Sequence, residues 1–488
     1  MELRRLLAAL GMATGDDFPD RTFASITQDS RTVGRGDLFL ARRGEVLDGH
    51  AFIADAVSHG ATGILAERVP DVRTPVWIVD ARGSTQVAAP PPDLVEAVVC
   101  MLVADTQKAL EQAASWWRRQ LPVTVIGITG SVGKTSTKDL VAEVLGERFA
   151  VLKSERSLNT DVGMALTLLK LGPEHQAAVL EMGTYSKGEI AHLCSLAQPE
   201  VGVVTNVGPT HMERLGSIEA IAQAKSELVQ ALPESGVAVL NGDDDRVRAM
   251  QAQTCARVVT YGLAPERDVW ASDIESHGLE GISLRLHAES EEIAVRTSLP
   301  GVHNAYTALA ATAVGLALGL TLGEAAERLR QAPGPARLAV IKADNGANVI
   351  DDSYNASPAS VLAALNLLAD LGGRRVVVLG DMLELGSYEV EGHRLVGRRA
   401  GEVADVLIVV GQRGRIIGEE ALRQGKPASR VLFAASNAEA AALARRKTRA
   451  GDNILVKGSR GMKMEEIVIS LQAPTIDEGT AGEKRTGC

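Results

Sequence analysis

Apolar residues along this chain gather in short solid runs, separated by stretches where they recur every three or four positions. Between residues 121 and 335 the runs at 123–128, 177–181, 201–207 and 237–240 lack apolar–polar alternation. Each is therefore predicted as a strand buried on both faces. The intervening segments carry helical spacing; after the first run, Leu140, Val141, Val144 and Leu145 share one helical face. Strands and helices in turn predict a mainly parallel sheet with covering helices. A second series, at 375–380, 405–411 and 453–458, consists of β-rich runs that each end on glycine. That pattern suggests a small doubly wound, Rossmann-like unit, which meets ligands at the carboxyl ends of its strands. Near the N-terminus the apolar runs at 37–41 and 63–66 mark a third unit. The prediction is an α/β protein of three domains: an N-terminal domain (1–88), a central parallel-sheet domain (121–335) and a C-terminal domain (336–472). Ala88-Ala-Pro-Pro-Pro92 reads as a stiff break. A helical linker (89–120) is expected to follow, from the spacing of Leu94, Val98, Leu102, Leu110, Ala114 and Trp117. Pro333-Gly-Pro335 is the expected hinge to the last domain, and the polar, Gly-rich tail 473–488 is expected to be disordered.

Length and composition narrow this picture. A chain of 488 residues exceeds one ordinary core. Its 45% hydrophobic and 23% charged residues are those of a globular protein. A net charge of -10 argues against general nucleic-acid binding, so an anionic ligand must meet locally concentrated Lys and Arg. Cys100, Cys194, Cys255 and Cys488 are scattered without metal-ligand spacing, which fits a reducing compartment. The N-terminus lacks the apolar core of a secretory signal, so a cytoplasmic location is expected. Residues 305–323 are uncharged and near the length of a membrane span, but Ala, Gly and Thr dominate them. A small-residue helix packed inside a domain is the expectation there.

The candidate chemistry begins at residues 126–135, Ile-Gly-Ile-Thr-Gly-Ser-Val-Gly-Lys-Thr. A strand, a glycine turn, and Lys134 and Thr135 opening a helix make a phosphate cradle. Gly130, Ser131, Val132, Gly133, Lys134, Thr135 and Ser136 form the expected ATP-binding loop, with the Thr135 hydroxyl on Mg²⁺. The loop is shortened, because Ile128 stands where the usual spacing has glycine. Glu181 follows a buried strand, where a second Mg²⁺ contact is usual. Asn206 and His211 follow the next one. Asn159-Thr-Asp161 is a candidate substrate-side loop, although Asn and Asp favour loops anyway. Lys225 sits in a helical stretch and fits a salt-bridged or solvated lysine equally well. His303 and Asn304 precede the uncharged stretch. Asp351-Asp352-Ser-Tyr354-Asn355-Ala-Ser357-Pro358 offers carboxylates for ribose hydroxyls and an aromatic ring, with Ser357-Pro358 also fitting a capped helix start.

Together these motifs resemble the Mur ligase family of ATP-dependent amide-bond-forming enzymes, and within it the branch that adds a D-alanyl-D-alanine dipeptide. The shortened loop, Glu181-Met-Gly183, Asn206 through His211, Ala224-Lys225-Ser-Glu227, Asn241-Gly-Asp243 and His303-Asn304 occur in the family's order. Asp351 through Pro358, Leu379-Gly-Asp-Met-Leu-Glu-Leu-Gly386 and Lys457-Gly-Ser-Arg460 are similar to that branch. Asp29-Ser-Arg31, Gly36-Asp-Leu-Phe39 and Asp48-Gly-His50 are similar to its UDP-sugar-binding domain. The likeness spans about residues 1–470.

The resemblance implies ATP and Mg²⁺ as cofactors, with UDP-N-acetylmuramoyl-tripeptide and D-Ala-D-Ala as partners. It implies a monomer; that no nucleic acid and no membrane span are involved is expected from the charge and composition above. Lys134 and Thr135 would hold phosphates and Mg²⁺; Glu181 and His211 would bind metal. Lys225 would be carbamylated by CO₂. Asn304 would contact adenine, Asp352 the ribose and Arg337 the γ-phosphate, although Gly334-Pro-Ala-Arg337 departs from the simpler Gly-Arg expected there. Ser30 and Arg31 would meet the UDP-sugar; Asn355, Ser357 and Arg460 would position the dipeptide or acyl group. A sibling ligase adding another amino acid is the near alternative. A non-catalytic nucleotide-binding protein would leave Glu181, His211 and Asp352 unexplained.

Overall fold

The computed structural model describes residues 1–16, 18–19, 21–44, 47–83, 85–155, 158–334 and 339–472. Arg337, Pro335 of the expected hinge and the tail 473–488 lie outside the described residues. Among the described residues the strands form three large sheets and one two-stranded ribbon.

The central sheet has nine strands. Val151–Lys153, Ala177–Glu181, Thr124–Thr129, Val201–Val204, Val237–Asn241 and Arg257–Gly262 pair in that order, all parallel. The residues of Thr124–Thr129, Ala177–Glu181, Val201–Val204 and Val237–Asn241 are almost wholly buried on both faces, which is why these runs show no alternation. The run expected at 201–207 remains a strand only to Val204, because Thr205 and Asn206 turn toward the phosphate loop. Val269–Ser276, Ile282–Ala288 and Glu291–Thr297 extend the sheet beyond Gly262, the last two antiparallel. The uncharged stretch is the helix Ala305–Ala317, buried along most of its length. It packs on the helix Lys134–Leu145; a Cβ on Gly315 would stand 3.0 Å from Val144 Cγ1. Among the described residues no helix is long and apolar enough to cross a membrane.

The C-terminal sheet runs in the order Ala339–Lys342, Asn348–Asp351, Asn453–Lys457, Arg375–Leu379, Val406–Val410 and Val431–Ala434. It is parallel except at the first strand. Helices Pro358–Asp370, Glu389–Val403, Gly414–Arg423 and Asn437–Lys447 connect it, as a doubly wound fold requires.

The N-terminal sheet corrects one expectation. Val98–Leu102, read as part of a helical linker, is a strand paired in parallel with both Gly63–Ala66 and Val76–Asp80. All five of its residues are buried, and on a solid apolar run the four-residue spacing of Val98 and Leu102 is coincidental. The α-helix of this segment is Thr106–Arg119, with a short 3-10 turn at Pro92–Leu94. Trp117 on that helix donates from Nε1 to the Leu171 carbonyl at 2.8 Å. One continuous apolar core thus joins the N-terminal sheet to one face of the central sheet, from Leu3 and Phe23 through Trp117 to Val125 and Leu180. The C-terminal sheet has its own cores on its two faces, made only of residues from 343 onward.

Candidate functional site

The phosphate loop takes its shape from its neighbours as much as from its glycines. Gly130 has φ of 151°, and a Cβ there would meet Thr205 Oγ1 at 1.9 Å. Gly133, at φ 88°, is the left-handed residue that turns the loop into the helix Lys134–Leu145. Thr205 Oγ1 donates to the Val132 carbonyl at 2.7 Å, and Asn206 Nδ2 does so at 2.9 Å. Asn206 Oδ1 in turn accepts from Val132 N at 2.9 Å. Ser131 Oγ bridges the N–H and carbonyl of Gly208, both at 2.9 Å. The two strand ends are therefore laced into one rim. Asn206 acts here as a brace of the loop. Lys134 Nζ donates to the Gly130 carbonyl at 2.8 Å, which lays its charge across the cradle.

Beside the loop, Thr135 Oγ1 donates to Glu181 Oε2 at 2.6 Å. The other carboxylate oxygen, Oε1, accepts from Asn159 Nδ2 at 2.9 Å. Asn159, expected on a substrate-side loop, thus orients the buried Glu181 carboxylate. Ser154 Oγ accepts from the Glu181 backbone N–H at 3.1 Å. Mg²⁺ characteristically takes one or two protein oxygens plus phosphate oxygens and water, and the Thr135–Glu181 pair suits that mode. Among the described residues no group of three or more His, Cys, Asp or Glu side chains is poised to hold a metal ion without such a substrate.

Lys225 lies on the helix Ile218–Gln230, 3% exposed, without an ion pair or hydrogen bond among the described residues. Burial first, then the nearby Lys134 charge, push its ammonium well below the ordinary lysine range. The solvated reading of Lys225 is thereby excluded. His211 caps the short helix Met212–Leu215 with a left-handed backbone, φ 55°. Its Nδ1 lies 2.5 Å from Glu384 Oε2, across the boundary between the central and C-terminal units. The Tyr185 ring meets the imidazole edge-on at 4.7 Å. Burial lowers the His211 pKa against the opposing pull of Glu384, with Lys134 and Lys225 adding to the lowering. The charges of Lys134, Lys225 and His211 are thus all felt at one place.

In the C-terminal unit, Asp352 pairs with Lys457 Nζ at 2.6 Å. The same ammonium, 3% exposed, donates to the Asn355 carbonyl at 2.9 Å. Asn304 is buried at the start of the uncharged helix and donates from Nδ2 to the Pro300 carbonyl at 2.8 Å. The pKa of the adjacent His303 is lowered by burial and by the Lys457 charge. The third unit reaches the start of this helix, where a Cβ on Gly301 would stand 3.7 Å from Leu367 Cβ. Ser357 caps the helix Pro358–Asp370 through a reciprocal box with Ser360. The Arg460 guanidinium lies over the Tyr354 ring at 5.4 Å. In the N-terminal unit Ser30 is buried, whereas Arg31 is exposed and held by Asp29 through Nε at 2.8 Å. These two lie on the 3-10 turn Ser30–Thr32, between two strands of the N-terminal sheet. A cleft of about 490 Å³ opens between the first two units, lined by Gln28, Arg42, Arg43, Gln107, Thr160 and Asp161 among others.

Sequence reasoning missed Thr205, Glu384 and Lys457 as partners of site residues. Glu384 and Lys457 lay inside the quoted motifs; Thr205 carried no signal beyond ending a strand.

A glycine loop at a strand–helix junction, a hydroxyl–carboxylate pair beside it and a doubly wound unit facing it define a phosphate-loop nucleotide-binding protein. Comparison with known proteins narrows that class. Residues 128–315 match the Mur ligase middle domain, 336–460 the Mur ligase glutamate ligase domain, and 22–116 the Mur ligase family catalytic domain. The UDP-N-acetylmuramoyl-tripeptide–D-alanyl-D-alanine ligase of Bacillus subtilis (strain 168) is 35% identical over 94% of this chain and 96% of its own. Its Escherichia coli (strain K12) namesake is 34% identical over 93% and 94%. Among solved structures, MurF from Acinetobacter baumannii superposes with a TM-score of 0.79 at 32% identity, covering 96% of this chain and 97% of that one. MurF ligase from Thermotoga maritima, in complex with ADP, gives 0.75 at 27% identity over 92% and 96%. The chain belongs to the Mur ligase family.

Proposed function

We propose that this protein is an ATP-dependent amide ligase that joins D-alanyl-D-alanine to UDP-N-acetylmuramoyl-tripeptide. The observation that carries the reading is similarity through all three units to relatives of that one name, 34% to 35% identical over nearly the whole chain. A carboxylate is a poor electrophile, so the tripeptide carboxylate first takes the γ-phosphoryl group of ATP to give an acyl phosphate. The dipeptide amine then attacks the acyl carbon, and phosphate leaves.

In this reading the loop N–H groups and Lys134 hold the phosphates and stabilise charge as it spreads over the transferring group. Thr135, Glu181, His211 and a carbamylated Lys225 would hold Mg²⁺, with Asn159 orienting Glu181. Bound Mg²⁺ supplies charge neutralisation on the β- and γ-phosphates. Burial shifts Lys225 toward the neutral amine, which is the form that adds CO₂, losing a proton to give a carbamate. That step places an anion beside Lys134. Asn304 and Asp352 would take the adenosine, with Lys457 fixing Asp352, while Ser30 and Arg31 take the UDP-sugar. Asn355, Ser357 and Arg460 would position the dipeptide, Ser357 through its helix cap.

Phosphate release measured with ATP, UDP-N-acetylmuramoyl-tripeptide and a panel of amino acids and dipeptides tests the proposal. Release is expected with D-Ala-D-Ala alone. Release with a single amino acid would reassign the chain to a sibling ligase, and none with any acceptor would refute ligase activity.

A further inference from the structure

Glu384 belongs to the C-terminal unit, yet its carboxylate ends 2.5 Å from Nδ1 of His211 in the central unit. The contact is built by the backbone on both sides. His211 and Glu384 each adopt a left-handed conformation, φ 55° and 63°, uncommon for residues with side chains. The Glu384 carbonyl accepts from Glu213 N at 3.3 Å. Two residues on, a Cβ at Gly386 would stand 2.9 Å from that same nitrogen, so only glycine lets the two chains approach this closely. The Tyr185 ring flanks the imidazole. Nδ1 is thereby committed to the carboxylate, which fixes the tautomer and leaves Nε2 to accept or to ligate. A histidine that ligates a metal commonly donates its other N–H to a carboxylate in just this manner.

We infer that Glu384 is a positioning residue for His211: the C-terminal unit, by seating this carboxylate on Nδ1, turns Nε2 into a cation ligand and so ties metal binding to domain approach. The inference rests on the proposed role of His211 in metal binding. It predicts that the metal site is complete only while the two units touch.

The test is Mn²⁺ binding to the full chain with a non-hydrolysable ATP analogue. Free Mn²⁺ is read by electron spin resonance, and imidazole nitrogen coupling by spin-echo modulation. Glu384→Ala should weaken Mn²⁺ binding by about tenfold or more and diminish the nitrogen modulation. Glu384→Asp, which keeps the charge but withdraws it by one methylene, should do the same. Glu384→Gln should recover part of both, because its carbonyl oxygen still accepts from Nδ1–H. A thermal melt confirms folding; if Glu384→Ala does not fold, the Asp and Gln variants decide. Mn²⁺ affinity within about twofold of wild type in the Ala or Asp variant, with His211→Ala clearly weakened, would overturn the inference alone. Unchanged affinity and modulation in His211→Ala would instead remove the metal role of His211, and the inference with it.

Discussion

Two residues in the site hold conformations or charge states that their surroundings impose, and each can be tested singly. Gly130 has no room for a Cβ, because Thr205 Oγ1 occupies the place. Gly130→Ala should cost about 1–3 kcal/mol, as overpacking does, and push Val132 and its N–H off the cradle. Denaturant unfolding would read the first effect and ATP titration the second; adding Thr205→Ala should restore part of both. An unstrained Gly130→Ala protein that binds ATP normally would contradict the loop geometry. Lys225 is the second case. A buried amine held below its usual range stays neutral at a pH where a solvent-exposed lysine is charged. Raising pH through its folded pKa should therefore increase its reactivity toward CO₂. Lys225→Ala should abolish ligation, and acetate or another small carboxylate should rescue part of it. Activity that is indifferent both to the substitution and to bicarbonate would exclude a carbamate there.

The helix Ala305–Ala317 shows why an uncharged segment need not face lipid. Its Ala and Gly residues bring it close to the phosphate-loop helix, so Val144 and Gly315 nearly touch. Ala311→Leu adds three carbons to a fully buried position and should cost about 1–3 kcal/mol in denaturant unfolding. ATP affinity should fall with it, since the loop rides on the displaced helix. Elements of this kind were legible in the sequence because burial on both faces leaves a solid apolar run. The same property hid Val98–Leu102, whose apolar residues fit a helix and a buried strand alike. The antiparallel strands Ile282–Ala288 and Glu291–Thr297 went unread because neither is a solid apolar run: Ser283, Arg285 and His287 alternate with buried residues in the first, and Glu291, Glu292 and Arg296 are exposed in the second. In the site, the loop and Glu181 were readable from local spacing. Partners distant in sequence were not; Asn159 on Glu181 and Glu384 on His211 are set by how strand ends meet.

At the scale of the molecule the three units are not equally joined. The first two share one apolar core, with Trp117, Leu110 and Val162 buried between them. The third closes its cores on itself and meets the central unit through a narrower seam: the polar contacts of Glu384 with His211 and Glu213, and the approach of Leu371 to Gly278. Separating a shared core exposes apolar surface at about 25 cal/mol per Å², whereas parting a hydrogen-bonded seam lets water replace most of what is lost. Units 1 and 2 should therefore move and unfold as one body, and unit 3 as another. Calorimetry should resolve two transitions, and ATP should raise the one containing Trp117, since the phosphate loop lies in that body. Distances between spin labels should agree. Pairs between the first and central units should stay fixed when a non-hydrolysable ATP analogue and the UDP-peptide are added, while pairs to the third unit shorten. The opposite pattern, with the first unit swinging against the central one, would mean that the shared core yields more readily than the narrower seam.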